Sequence, residues 1–545
     1  MLPPAAAAAE LAPSASDVVL VIDAATALVS TPEGGATLGL LRELGLFAGT
    51  AIAWNELAGT LGMRPEEALE AIAGRRVTLM IRQETPERPL GWAMVTRVSV
   101  ETERLLRARL RPVPKRMADG QPVLALEGGR FLLASRVPSR SRDRDGKERG
   151  EAVLLVAPAD VSDFFESCLP LLADRAASDA LKDDPDVRGL RENPQGVGGV
   201  AGRMGLGPDG RAEADVYMLY RPRRGDEPDA PRSLIALGAS RVRDGWDVGL
   251  IGTPSMFGEA DELRRGEMPR GLFERASERA IVAIAAPLGA LEGESGRAGV
   301  FGRFLGRFLG DLMPSFDGSG LFVLRERALR PDGMPASLEL LLGAGSRVEG
   351  DVPATLDRAM ASTIARLSRA GGPGAQGGAG GAAGGEDYGG HFPSAVREVE
   401  LPPRALSVAG SMIGETPVVR WCYAGADASG KSGNAVWWLA HVMEATPQSD
   451  GSTLRTLASG MMAAGGAEGV GGVGESIVTG GVLRPAVVVG LLPPTLVTVV
   501  RPLTPARLIE RVEWAASLDA SGLVRGGATV RFTADALADG GGAGE

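Results

Sequence analysis

Repeated α+β modules, mostly antiparallel sheet with packed amphipathic helices, are the fold class this sequence predicts. Three observations predict it. Short apolar runs leading into Ala or Pro recur from Val18 (VVLVIDAA), Ala152 (AVLLVAPA), Ala280 (AIVAIAAP) and Ala486 (AVVVGLLP). Runs opened by a glycine or turn and then an aromatic recur from Gly91, Gly129, Gly245 and Ala435. A strand-like run and a polar turn precede each of these, which is the signature of a hairpin. Amphipathic segments of helical period lie between them.

In chain order, residues 1–16 form an Ala/Pro arm expected to be disordered. A first module spans 17–150, with buried strand Val18–Asp23 and the hairpin of VTLMIR with GWAMVTRV. Its helix over Ser99–Leu110 takes Ser99 as N-cap, with Glu101 and Glu103 early and Arg107 and Arg109 late, as the helix dipole prefers. A second helix, Arg64–Ala73, starts near Pro65 and stops at Gly74. The spacing of the apolar runs suggests a repeat of about 130 residues. It places further modules at 151–276 and 277–370. Residues 371–390, GGPGAQGGAGGAAGGEDYGG, read as a Gly/Ala linker. A C-terminal module follows at 391–537, and 538–545 reads as a disordered tail. Thr355–Leu367 and Thr504–Leu518 are amphipathic segments read as helices. Ala486–Val500 reads as two short buried strands around Pro493 and Pro494.

The scarce residues narrow the chemistry. His391 and His441 are the two histidines, and Cys168 and Cys422 the two cysteines. A structural zinc site would consume all four, so no metal and no cofactor are expected. The cysteines read as two buried free thiols. Nucleophilic catalysis through histidine is nearly excluded, and G-x-S-x-G is absent. The 68 acidic residues leave a carboxylate-dependent enzyme open, without a residue to assign. A net charge of −10 and the lack of a basic block argue against nucleic acid. The four lysines, Lys115, Lys147, Lys182 and Lys431, stand against an abundance of arginine, read as base composition. Ala486–Val500, the longest uncharged apolar stretch, is too short to cross a bilayer, so no transmembrane segment is expected. Ala5–Ala9 followed by Glu10 has the look of a signal-peptide tail, although 1–16 has no basic n-region or apolar h-region. Two readings stay open: export, with a start upstream of Met1 and a mature chain from Glu10, or a cytoplasmic protein with a polar arm.

The sharpest motif is Gly425-Ala426-Asp427-Ala428-Ser429-Gly430-Lys431-Ser432, a match to G-x-x-x-x-G-K-S. In a phosphate loop Gly425, Gly430, Lys431 and Ser432 would cradle a nucleotide. Against it, no apolar strand ending in Asp follows, and the segment also matches the recurring hairpin, the favoured reading, with Lys431 at its tip. The G-x-G-x-x-G matches at Gly205 and Gly469 are expected by chance at this glycine content and lack a strand-to-helix setting. Asp143, Asp145 and Gly146 resemble a calcium loop, but Ala152 stands where its last ligand should be Glu. Arg224-Gly225-Asp226 is too short to carry weight. Phe301, Phe304, Phe308 and Leu312 share one face of FGRFLGRFLGDL. That face packs on the protein's own sheet or meets a protein or envelope partner.

The strand-plus-Ala/Pro runs, the Gly-aromatic hairpins and the Ala tract together resemble a bacterial domain-of-unknown-function family of large, exported, modular α+β proteins. The resemblance is one of pattern over most of 17–535. It implies an extracytoplasmic protein of repeated modules, with no catalytic residues to carry over. The missing h-region departs from it. The first functional reading is therefore a non-enzymatic extracytoplasmic binding or scaffold protein of the bacterial envelope. The second is a cytosolic nucleotide-binding protein using Gly425–Ser432. The third is the carboxylate-dependent enzyme.

Overall fold

The computed structural model describes residues 5–23, 31–43, parts of 58–72, 76–83, 90–118, 121–125, 131–137, 141–142, 148–149, 151–185, 187–188, 215–221, 233–256, 260–265, 267–287, 319–329, 335–346, 397–400, 418–425, 437–444, 476–491, 503–519 and 522–541. Its strands in chain order are β1 (Val18–Asp23), β2 (Arg76–Arg82), β3 (Gly91–Ser99), β4 (Arg111–Ala118), β5 (Gln121–Ala125), β6 (Phe131–Arg136), β7 (Ser141–Arg142), β8 (Glu148–Arg149), β9 (Glu151–Pro158), β10 (Val216–Tyr220), β11 (Ile235–Val242) and β12 (Gly245–Gly252). They continue as β13 (Met268–Pro269), β14 (Ala280–Pro287), β15 (Ser319–Leu329), β16 (Pro335–Ser346), β17 (Arg397–Glu400), β18 (Val418–Gly425), β19 (Trp437–Glu444), β20 (Ser476–Ile477), β21 (Thr479–Leu483), β22 (Ile509–Leu518) and β23 (Val524–Phe532).

Two compact units divide the chain. One comprises Met1–Met256 with Arg525–Glu545, and the other Phe257–Val524. The second is thus an insertion in the sequence of the first. In the first unit the ladders run β4, β5, β6, β9, β3, β2, β1, β10, β11, β12, all antiparallel, and β23 joins β12. In the second they run β22, β21, β14, β15, β16, β19, β18, β17, again antiparallel. The small pairs β7–β8 and β13–β20 stand apart.

This overturns the repeated α+β modules. The described protein is mostly large antiparallel sheet, and its recurring runs are not equivalent first strands. β1 and β9 feed one core, which unites Val19, Val21, Met80, Val153, Leu155, Phe164, Phe165, Cys168 and Leu219. The fourth run is not a strand at all: Pro485–Leu491 is a helix, with Val489 buried. Pro485 opens it at a position where a fixed φ and a missing N–H cost nothing. A buried apolar run looks alike whether it becomes strand or helix, and its partner is not written beside it. β1 takes β10 as partner some two hundred residues on, Val18 opposite Tyr220.

Part of the first sheet is covered on both faces. Val153, Leu155 and Ala157 of β9 join the core with Phe164 and Phe165 of the helix Ser162–Cys168. Ala152 and Leu154 face the other way, toward Leu106 of the helix Val100–Arg109. Two covered faces explain why β9 reads as a continuous apolar run instead of alternating. The helix Val100–Arg109 starts at the N-cap read from sequence: Thr102 N–H donates to Ser99 Oγ at 3.0 Å. β4, the outermost strand of this series, carries Pro112, Pro114, Lys115 and Arg116, residue types that discourage strand addition at an edge.

Other expectations change. The arm read as disordered is in part packed. Ala5–Glu10 is a short helix, and Ala9 and Ala12 are fully buried in the core. Thr504–Leu518 is not a helix but a four-residue helical turn, Leu503–Ala506, followed by β22. Its Trp514 lies over Gly481, where a Cβ would sit 2.0 Å from the indole, so the ring occupies the space a side chain would need. The C-terminal helix Ala534–Gly541 runs into the segment read as a tail. Thr355–Leu367, residues 371–390, the two G-x-G-x-x-G segments and Arg224–Asp226 lie outside the described residues.

The second unit joins strands from both sides of 371–390. β16 pairs with β19 from Glu339 opposite Glu444 to Ser346 opposite Trp437, and β14 pairs with β21. Cutting the chain at a protease site placed within 371–390 is expected to leave one particle. The fragments should co-elute on size exclusion in native buffer and separate only in denaturant. Separation under native conditions would refute these pairings.

Candidate functional site

Two polar clusters in the first unit bring ionisable groups into its interior. The first begins at Asp17, directly before β1. Val18 is opposite Ile81 and Tyr220, so one step further Asp17 stands between Arg82 and Arg221. Asp17 N–H donates to Ile81 O at 2.9 Å and Arg221 N–H to Asp17 O at 2.7 Å. The Asp17 carboxylate accepts from Gln83 N–H at 2.8 Å. Asp17, Arg82 and Arg221 are all buried. A buried charge is tolerable only when paired and hydrogen-bonded, and the flanking segments supply the pairs. Asp163, in the first turn of the helix Ser162–Cys168, takes Arg82 Nη1 at 2.7 Å, and the guanidinium also lies 5.1 Å over the Phe164 ring. Asp184 pairs with Arg221, whose Nη1 donates to Ser14 O at 3.1 Å. The cluster therefore ties three segments to the ends of three strands.

The hydrogen bond from Arg82 holds the Asp163 carboxyl below the usual aspartate range, against an opposing effect of partial burial. A depressed carboxylate contributes stability that is present above its unfolded value and lost as pH falls through its folded one. Asp163→Asn is expected to be less stable than the native protein at neutral pH, with the gap closing on acidification. Solvent screening keeps it small, since the Asp163 side chain is 64% exposed. Urea denaturation across pH reads it, and a gap independent of pH would rule out this cause.

The second cluster joins the helix Val100–Arg109 to β6. Ser135 Oγ donates to Glu103 Oε1 at 2.7 Å and accepts from Arg107 Nη2 at 2.8 Å. Arg107 Nε also pairs with Glu103 one helical turn away. A hydroxyl on a carboxylate, flanked by a guanidinium, is the arrangement a nucleophile and its base would take. Yet Ser135 is 1% and Glu103 3% exposed, so the hydroxyl meets its neighbours and not solvent. The sequence reading missed this cluster. Glu103 and Arg107 at i,i+4 were legible as a helix pair. The remaining signal was a polar residue, Ser135, inside the otherwise apolar run FLLAS.

The sequence-derived candidates fall elsewhere. Gly425 is the last residue of β18, opposite Trp437, the first of β19. Gly430, Lys431 and Ser432 lie outside the described residues. The flanks form an antiparallel hairpin, and Trp437–Glu444 is strand. A phosphate loop runs from strand into a helix whose N-terminus meets the phosphates, and no helix begins at Trp437. Phe301, Phe304, Phe308 and Leu312 lie outside the described residues, as does His391. His441 is on β19 opposite Trp421 and Leu342. Cys168 is buried beside Met80, with Sγ to Sδ at 3.9 Å. Burial pushes its thiol up to about 12, which suppresses the reactive thiolate. Among the described residues no group of three or more His, Cys, Asp or Glu is placed to hold a metal ion. No described helix is long and apolar enough to cross a membrane.

No protein-family model, no curated protein and no solved structure matches this chain.

Proposed function

We propose that this chain is a non-catalytic binding or scaffold protein of the bacterial envelope. The observation that carries this reading is the engagement of Ser135, Glu103 and Arg107 with one another inside the protein. The chemically most suggestive groups described thus serve to join helix to sheet. The Arg82–Asp163 and Arg221–Asp184 pairs serve likewise to hold flanking segments. The envelope part of the proposal rests on the sequence pattern. In it the mature chain keeps Ala5–Glu10, because Ala9 belongs to the core.

Complementation of a deletion strain tests the non-catalytic part. Glu103→Gln keeps the shape of the network and removes the carboxylate that a base would need. Rescue by this variant in proportion to its folded amount is the expected outcome. A folded but inactive Glu103→Gln protein would overturn the proposal in favour of catalysis. Cell fractionation with N-terminal sequencing tests location. An envelope-bound chain that begins at or before Ala5 is expected, and a purely cytosolic chain would overturn that part.

A further inference from the structure

We draw no further inference here: the strongest candidate, the buried Glu339 carboxylate that the register of β16 and β19 sets opposite Glu444, is held by Arg325 through Oε2, and nothing in the structure shows what its other oxygen, Oε1, would take.

Discussion

Gly245→Ala is expected to destabilise the first unit by about 3 kcal/mol, at the upper end of what inserting a methyl group into a packed site costs. Gly245 opens β12, directly after the turn residue Asp244, whose φ of 64° is left-handed. A Cβ at Gly245 would stand 1.9 Å from Val530 O and 2.9 Å from the Val530 carbonyl carbon. The obstruction is backbone, so no rotamer change relieves it. Relief requires β23 to move off β12, and that movement would break the hydrogen bond from Phe532 N–H to Asp244 O at 2.9 Å. It would also strain the bond from Thr529 Oγ1 to Asp247 at 3.0 Å. Gly39→Ala is the matching control. Gly39 lies within the helix Pro32–Glu43 of the same unit, with nothing within 4 Å of its Cβ position. Alanine there should stabilise by roughly 0.5–1 kcal/mol, the helix-interior cost of glycine. Urea titrations of the two variants should therefore move in opposite directions. Equal stability of Gly245→Ala and the native protein would refute the close approach of β12 and β23.

Removal of residues 1–12 should cost a comparable amount, about 3–5 kcal/mol, the range for emptying a core site or breaking a buried network. Ala9 and Ala12 are fully buried against the core. Leu11 O accepts from Ala177 N–H at 3.1 Å and Ala12 O from Leu181 N–H at 2.9 Å. Losing those acceptors strands two amides in a segment whose Leu181 is itself buried. Each unsatisfied buried donor costs about 1–3 kcal/mol. Thermal melts of the truncated and full chains decide the matter. An unchanged melting temperature would mean that this segment only rests on the surface. The same experiment bears on processing, since cleavage between Ala9 and Glu10 would remove Ala9 from the core.

Local signals in the sequence were informative where the chemistry is local. Ser99 caps its helix because its hydroxyl reaches an N–H three residues on. The hairpins β2–β3, β5–β6, β11–β12 and β18–β19 follow from apolar strands around polar turns. Signals failed where a segment satisfied two periods. Thr504–Leu518 has enough apolar residues on one helical face to read as helix, yet Ile509–Leu518 also suits a half-buried strand. Propensity is a weak prior when tertiary pairing is on offer, and here β21 offers it, with Gly481 opposite Trp514. The same ambiguity turned the run at Ala486 from strand to helix.

Of the candidate sites, the sequence could supply the Glu103–Arg107 pair but not Ser135, which reaches them only because β6 passes beneath the helix. Nor could it supply the row of Arg82, Asp17 and Arg221, whose members meet through two ladders of long sequence separation. What the sequence by itself determined is therefore the stock of apolar strands, their hairpin turns, the helix cap and the scarcity of histidine and cysteine. Only the tertiary structure decided that these strands join into large antiparallel sheets instead of repeated modules, and that the residues of the second unit interrupt the sequence of the first. The physical reason is that a strand's apolar pattern encodes which faces it buries, whereas its edge hydrogen bonds carry no residue code. Partners are chosen by the packing of the whole core.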